Sequence, residues 1–263
     1  MKTIGSIVFD KAAIYGIVAS GSPENPTIHK VIYLNRSENL EADWDSIKEN
    51  FYDTSSIGIV ESTPPMTFTK KYINIDDYID SEKEIIESKN MNEYAFNYIT
   101  FYDELELPRL YYVGIKKYIL QRLMNIFISS KMHKQLDLID YWPFGINGFD
   151  SKHKSYRTTI IESDTGITGY VWFKDILLTQ EKLEEGESTI AFVIRLWSSL
   201  PNSSISNHPI NLYIEKEHID FWSTLISNYE VNVFSTPIDA NQGKNGCWNV
   251  AFGMAKRILY KFT

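Results

Sequence analysis

Two short turns carry the residues of this chain that could do chemistry. Each turn follows an apolar run and combines acidic side chains with a lysine or a glycine. The candidate residues are Asp10 and Lys11 in the first turn and Glu162, Asp164, Thr165 and Gly166 in the second. Facing carboxylates could hold Mg²⁺, and the backbone N–H groups of a turn can bind the phosphates of a nucleotide. The same residue types also form turns without any ligand, and this simpler interpretation stands beside the first.

The elements that must position these turns are two similar hairpins. Residues 4–19 (IGSIVFDKAAIYGIVA) and residues 158–173 (TTIIESDTGITGYVWF) each read as an apolar strand, a short polar turn and a second strand. Self-similarity at a long interval along a chain indicates a duplicated unit. The pattern predicts two homologous halves that face each other across a cleft, with the two turns at the cleft.

The remaining segments extend this α/β pattern. Residues 41–52 have apolar side chains at helical spacing, and residues 57–60 form a short apolar strand. Residues 110–140 read as strand, amphipathic helix and strand, which predicts two parallel strands of one sheet joined by a right-handed crossover. The polar segment 148–157 separates the halves, and its Arg157 is predicted to be a solvated charge.

Composition excludes several classes of protein. The chain has 263 residues, is 43% hydrophobic and carries a net charge of −8, so it has core material but no excess of basic residues for a nucleic acid. Its one cysteine, Cys247, excludes an internal disulfide and is expected to be a small buried residue rather than a catalytic thiol. The five histidines lack metal-ligand spacing. Without a spanning segment or a signal-peptide core, we expect a cytoplasmic protein.

Three short strings resemble motifs of the PilM proteins, the actin-like assembly proteins of type IV pili that are related to FtsA and to the cytoplasmic part of GspL. Residues 67–73 (TFTKKYI) look like the Thr-Lys-x-Ile strand that opens the inserted subdomain of that family. Residues 140–144 (DYWPF) are similar to its Asp-x-x-Pro-Phe motif, and residues 251–255 (AFGMA) to the Ala-x-Gly-x-Ala motif of its last helix.

The resemblance implies an actin-like, ribonuclease H-type duplicated α/β fold. Its first half would cover residues 1–147 and contain an inserted small α+β subdomain near residues 66–130. The second half would cover residues 155–263, with a reduced outer subdomain.

Departures from the family pattern imply degenerate nucleotide loops. Members that bind ATP carry an Asp-x-Gly type turn in both hairpins, whereas here Val8 and Asp10 match those positions in the first hairpin, and Glu162 and Asp164 match them in the second. A carboxylate about 4 Å from a phosphate costs about 1–4 kcal/mol in partly solvated surroundings. Residues 215–217 (EKE) also replace the glycines that lie against adenosine in the family. We therefore expect a pseudo-ATPase with no catalytic residue, no metal and no cofactor.

Lys11 is expected to pair with an acid of the opposite turn and so to close the empty cleft. With the nucleotide site lost, the contacts that remain for a protein of this kind are contacts with other proteins.

The resemblance also implies a role. The protein would be a non-catalytic scaffold of a type IV pilus or type II-like secretion platform, held at the cytoplasmic face of the inner membrane by a partner. That partner would be a bitopic membrane protein of the PilN type. Its short cytoplasmic tail would lie in a groove between the first-half core and the inserted subdomain, beside the strands at residues 67–75 and 94–101. A homodimer is an additional possibility.

Two other classes stay open at this point. An actin-like nucleotide switch, ATPase or kinase would use Glu162 and Asp164 with Mg²⁺ and ATP. A filament-forming cytoskeletal protein would polymerise its halves head to tail, although a reduced second half would remove one filament surface.

Overall fold

The computed structural model describes residues 2–62, 66–71, 93–102, 108–146, 156–174, 176–198, 208–238 and 242–262. The chain divides into two compact units. The first is formed by residues 1–63 together with residues 132–263, and the second by residues 64–131. The predicted linker at 148–157 lies mostly outside the described residues, and so do residues 72–75 of the predicted strand at 67–75.

Thirteen strands are described. They are β1 (Thr3–Phe9), β2 (Ala13–Gly21), β3 (Pro26–Asn35), β4 (Ser56–Glu61), β5 (Met66–Lys71), β6 (Tyr94–Tyr102), β7 (Pro108–Lys116), β8 (Leu136–Tyr141), β9 (Tyr156–Ser163), β10 (Gly166–Phe173), β11 (Ile176–Lys182), β12 (Ile210–Tyr213) and β13 (Val231–Val233).

The described α-helices are α1 (Leu40–Ile47), α2 (Lys117–Ser129), α3 (Thr189–Trp197), α4 (Ser223–Asn228) and α5 (Asn245–Tyr260). Short 3-10 helices cover Lys48–Phe51, Trp142–Ile146 and Lys216–Trp222. α1 begins where the side chain of Asn39 accepts hydrogen bonds from the backbone N–H groups of Glu41 and Ala42, and Ser188 caps α3 in the same way.

Two five-stranded sheets form the first unit, and they repeat one topology. The first has the order β3-β2-β1-β4-β8 and the second the order β11-β10-β9-β12-β13. In each sheet the first three strands are antiparallel, and the next two run parallel to the central strand. The duplication predicted from the two hairpins is confirmed, and the architecture is a mixed α/β fold.

α5 packs against both of these sheets. Twelve of its residues are buried, and β1 and β2 are almost continuously buried as well. Strands buried on both faces need predominantly apolar sequence, which β1 and β2 have apart from a few small polar residues such as Ser6. The helix therefore holds the ends of β1 and β9, and the turns that follow them, on either side of its first residues.

The second unit contains a three-stranded antiparallel sheet of order β5-β7-β6, with α2 after β7. The prediction that residues 110–140 form one parallel strand–helix–strand unit is therefore wrong. β7 pairs with β5 and β6, whereas β8 pairs in parallel with β4 in the other unit. Pairing is decided by partners distant in sequence, which a local strand–helix–strand pattern does not reveal.

Arg157 also departs from expectation. It lies in β9 with only 1% of its surface exposed, and its guanidinium group lies 5.1 Å from the ring centroid of Trp172. Its Nη1 donates a hydrogen bond to the carbonyl oxygen of Lys174. The cation is buried because a planar guanidinium group can stack on an aromatic ring and still donate hydrogen bonds.

Candidate functional site

The first turn places the carboxylate of Asp10 inside the protein. The backbone N–H of Asp10 donates to the carbonyl oxygen of Ala13 at 3.0 Å, which closes the turn between β1 and β2. Arg36 fixes the turn from outside, because its Nη1 donates to the carbonyl oxygen of Asp10 at 2.8 Å. Asp10 is fully buried, whereas the neighbouring Lys11 is exposed.

The second turn is held by its own side chains. The Ser163 hydroxyl accepts a hydrogen bond from the backbone N–H of Thr165 at 3.2 Å and donates to the carbonyl oxygen of Gly166 at 3.1 Å. Gly166 has φ +112°, a conformation that side-chain-bearing residues rarely adopt. Thr165 and Gly166 are thus accounted for by turn geometry, and Asp164 lies half-buried at the tip.

The first residues of α5 lie between the two turns. A Cβ atom on Gly246 would come within 2.0 Å of the carbonyl oxygen of Glu162, so the helix can approach β9 only because this position is a glycine. One residue further on, the Cys247 Sγ lies 4.0 Å from the Asp10 Oδ2. Sγ and one carboxylate oxygen from each of Asp10 and Asp164 all lie within 4.8 Å of one another.

Tyr15 links the two halves beside this cluster. Its hydroxyl donates to the Asp164 Oδ2 at 2.5 Å and accepts from the backbone N–H of Lys244 at 3.1 Å. Its ring packs edge-on against Trp248, with the centroids 4.9 Å apart. A Cβ on Gly243 would lie 2.4 Å from the same ring. The Tyr15 side chain therefore reaches from β2 to the second turn and is packed on several sides.

Three partners surround the Glu162 carboxylate and compensate its negative charge. Its carboxylate accepts from the Lys244 Nζ at 3.0 Å, from the backbone N–H of Glu215 at 3.1 Å, and pairs with the His218 Nδ1 at 2.8 Å. Burial raises the pKa of Glu162, but these three partners together outweigh burial, so the pKa lies below the ordinary value. Its charge is therefore not free to repel a phosphate, contrary to expectation.

Lys11 does not have the role expected of it. Within the described part of the chain, no ion pair joins Lys11 to the opposite turn, and the lysine paired with Glu162 is Lys244. Lys244 lies just before α5, so the ion pair is formed inside the second half rather than across the cleft. Burial lowers the pKa of Lys244, but the hydrogen bond and charge of Glu162, together with the charges of Glu215 and Asp164, outweigh burial and raise it.

Negative charge is disfavoured at three further groups of the site, which are the Asp10 carboxyl, the Cys247 thiol and the Tyr15 hydroxyl. Burial raises the pKa of Asp10, and the nearby charge of Asp164 raises it further, against the opposing effect of the Lys11 backbone N–H. Burial also raises the pKa of the Cys247 thiol and that of the Tyr15 hydroxyl. In each of these three groups the raised pKa favours the uncharged form.

The two motifs that carry most of the sequence resemblance contact each other. Arg257 of α5 forms an ion pair with Asp140, and its Nη1 donates to the carbonyl oxygen of Phe144 at 2.9 Å. A Cβ on Gly253 would lie 2.2 Å from the carbonyl oxygen of Gly145. Helix α5 is thus fixed against the 3-10 helix Trp142–Ile146 at a spacing that only glycine permits.

An open cleft of about 740 Å³ lies on the outer side of the second turn. Most of its charged lining residues are acidic. The charged residues are Glu162, Asp164, Glu184, Glu185, Glu187, His218 and Lys244. Glu215, which replaces a family glycine, is engaged elsewhere, since its Oε1 accepts from the backbone N–H of Asn245 at 2.7 Å and caps α5.

Sequence reasoning missed the residues that complete this site. They come from three separate segments, which are β2, the 3-10 helix Lys216–Trp222 and the start of α5. In that order, the residues are Tyr15, His218, and the pair Lys244 and Cys247. None of them belongs to a local motif in the sequence. The only available signal was the Gly-bearing segment before α5, which could have indicated a close backbone approach.

Comparison with known proteins bears on the fold. No protein-family model matches the sequence, and no curated protein sequence matches it either. Among solved structures, a PilM–PilN type IV pilus biogenesis complex is similar over 97% of this chain and 98% of that one, with 12% identity and a TM-score of 0.64. A Bacteroides thetaiotaomicron protein of actin-like ATPase fold and unknown function is similar over 89% and 91%, with 11% identity and a TM-score of 0.52.

At these identities the similarity establishes the fold, and the predicted actin-like, PilM-like architecture is confirmed. None of the described helices is both long enough and apolar enough to cross a membrane.

Proposed function

We propose that this protein is a non-catalytic scaffold of a type IV pilus or type II-like secretion platform, located in the cytoplasm at the inner membrane. Its partner would be a bitopic membrane protein of the PilN type, bound through a short cytoplasmic tail. Support comes from the structural similarity, over nearly the full length of both chains, to a protein solved in a PilM–PilN complex. Fold alone does not determine function, so the non-catalytic part of the proposal has to be argued from the geometry of the site.

The observation that carries the non-catalytic part is the position of Tyr15. In a nucleotide-binding protein of this fold, the space between the two turns must admit a phosphate chain. Here the Tyr15 hydroxyl is bonded to Asp164 of the second turn and its ring packs on Trp248, while carboxylate oxygens of Asp10 and Asp164 lie within 4.8 Å of each other. Admitting a nucleotide would require breaking these contacts and placing phosphates beside the carboxylates of Asp10 and Asp164. The site therefore favours protein contacts over catalysis.

The tail of the partner would bind at an edge of the three-stranded sheet. β5 and β6 are the outer strands of that sheet, and an outer strand presents backbone N–H and C=O groups to which an extended peptide can add. On β6, Thr100 and Tyr102 are exposed, and Tyr102 has 63% of its surface accessible. We assign the docking edge to β6 for this reason.

The test is recovery of membrane proteins from the native host with matched variants as bait. Wild type and Tyr118→Glu should recover a bitopic inner-membrane protein with a short N-terminal cytoplasmic tail. Tyr102→Glu should recover much less of it, because a charge then lies on the docking edge. Tyr118 is a suitable control, since it lies in the same unit on α2 and is 61% exposed. Failure of the wild type to recover any such protein would remove the scaffold proposal.

One observation favours a second candidate, a nucleotide-dependent switch. The open cleft is lined by Glu162, Asp164 and Gly166, three of the residues first selected as nucleotide-binding candidates. A Mg²⁺-bound phosphate could approach from this outer side without displacing Tyr15. Direct titration with ATP and Mg²⁺ distinguishes this candidate from the scaffold.

A further inference from the structure

We propose that Asp10, Asp164 and Cys247 form a binding site for a thiophilic divalent metal ion such as Zn²⁺, located between the two hairpin turns. The site is independent of the proposed partner. It would join the end of β1, the β9–β10 turn and the start of α5 through a single ion.

Geometry is the first support. One ligand atom from each of the three residues lies within 4.8 Å of the other two, and the Cys247 Sγ lies 4.0 Å from the Asp10 Oδ2. Zinc binds sulfur at about 2.3 Å and carboxylate oxygen at about 2.0–2.2 Å in tetrahedral sites, which puts neighbouring ligand atoms about 3.5 Å apart. To reach that spacing, the Cys247 Sγ and the Asp10 Oδ2 must approach by about 0.5 Å from 4.0 Å, and the most distant pair by at most about 1.3 Å from 4.8 Å.

A carboxylate oxygen without a partner is the second, independent support. The Asp10 Oδ1 is fully enclosed and accepts no hydrogen bond from the described residues, although the N–H groups of Lys11 and Asp164 and the Ser62 hydroxyl lie close enough to the carboxylate to lower its pKa. An enclosed carboxylate oxygen without a partner is unfavourable, because it has lost its hydration without gaining a hydrogen bond. Three cations close to the turns do not fill this position, because Lys244 pairs with Glu162, Arg36 binds the main-chain carbonyl of Asp10, and the side chain of Lys11 is exposed. A metal ion would satisfy the open position on Asp10 and balance the adjacent carboxylate.

The donor set determines the class of ion. Mg²⁺ and Ca²⁺ prefer a shell of oxygen atoms, whereas a thiolate selects zinc and other softer ions. Two carboxylates and one thiolate leave a fourth tetrahedral position for water. The Tyr15 hydroxyl, which donates to the Asp164 Oδ2, would orient that carboxylate toward the ion. Binding would release the thiol proton to solvent as the sulfur becomes a thiolate ligand.

Cobalt absorption spectroscopy on the full chain tests the site. Because Cys247 is the only cysteine, a sulfur-to-cobalt charge-transfer band can arise from no other residue. Wild type should show this band and the visible bands of tetrahedral Co²⁺, saturating at one ion per chain, and Zn²⁺ should displace the cobalt. Cys247→Ser should abolish the charge-transfer band. Asp164→Asn and Asp10→Asn should each weaken binding by about tenfold or more.

A control variant and a measurement of folding distinguish loss of the metal site from unfolding of the protein. Glu184→Gln removes an exposed acid of the neighbouring cleft and should leave cobalt affinity unchanged. Circular dichroism reports whether each variant is folded, and zinc should raise the melting temperature of wild type but not that of Cys247→Ser. Absence of both the band and the thermal shift in wild type would overturn the proposal. So would a band that persists at full affinity in both aspartate variants, since the thiol alone would then be the ligand.

Discussion

At the scale of residues, Glu162 shows how an acid at a nucleotide-loop position can become structural. The side chain is 5% exposed and bonded to Lys244, His218 and the backbone of Glu215. An ionised carboxylate can be buried this deeply only when several donors surround it. The negative charge of Glu162, which was predicted to face the cleft, therefore stabilises the second half of the fold.

Replacing Glu162 by glutamine tests this role. At neutral pH the variant should lose about 1–2 kcal/mol of unfolding free energy, because Lys244 and the Glu215 N–H lose a charged partner. Urea denaturation measures the loss. Glu181→Gln is the control, since the Glu181 side chain is 41% exposed against 5% for Glu162, and its pair with Arg195 should contribute about 0–1 kcal/mol.

The same variant should alter the acid limb of the stability profile. The folded-state pKa of Glu162 lies below its ordinary value of 4.5. Its contribution is therefore complete above about pH 4.5 and is lost as the pH falls through the lowered pKa. Wild type should lose stability over that range relative to Glu162→Gln, so the two profiles should converge in acid. Parallel profiles would contradict the ion-pair assignment.

The sequence predicted the positions of these acids but not their partners. Asp10, Glu162 and Asp164 were found because they belong to a repeated local pattern, and the structure places all three at or beside the turns. Tyr15 and Lys244 were not found, because they reach the site through packing between segments far apart in the chain. Local patterns contain no information on such contacts.

At the scale of elements, helix α5 holds the two sheets together. It contacts β1, β2 and β4 of the first sheet and β9 and β12 of the second. The Ser6 hydroxyl of β1 donates to the carbonyl oxygen of Ala251 at 2.6 Å. The helix can lie this close to its neighbours because glycines stand at its tightest contacts, Gly246 and Gly253.

Gly253→Ala tests the close approach of α5 to the 3-10 helix Trp142–Ile146. Helix propensity alone predicts a gain of about 1 kcal/mol for this change. The added Cβ would lie 2.2 Å from the Gly145 carbonyl oxygen, so we expect instead a net loss of about 1–3 kcal/mol. Ser227→Ala on the exposed surface of α4 should change stability by less than about 0.5 kcal/mol. A Gly253→Ala variant as stable as wild type in urea denaturation would contradict the packing.

Secondary-structure elements could be predicted from the sequence where the hydrophobic pattern was strong and each strand paired with its neighbour in sequence. Both hairpins follow from apolar runs separated by a polar turn, and neighbouring strands of a hairpin pair with each other. The segment from β7 to β8 was misjudged because its two strands join different sheets. Strand partners at long range depend on the whole chain, and here a complete unit is inserted between β4 and β8.

At the scale of the whole molecule, the repeated strand order of the two sheets identifies the fold independently of any motif. The sequence resemblance predicted that fold because it rested on strings distributed along the chain, two of which meet at the contact between α5 and residues 140–145. Function was harder to predict from the sequence than the fold, because it depends on which side chains meet at the two turns.

Calorimetric titration of the full chain with ATP and Mg²⁺ tests the central claim, that side chains occupy the site where a nucleotide would bind. We expect no saturable heat at nucleotide concentrations up to about 1 mM, since the Tyr15 hydroxyl is bonded to the second turn and the carboxylates of Asp10 and Asp164, within 4.8 Å of each other, repel phosphate. A saturable isotherm with one site per chain and a dissociation constant in the micromolar range would contradict the account and favour the nucleotide switch.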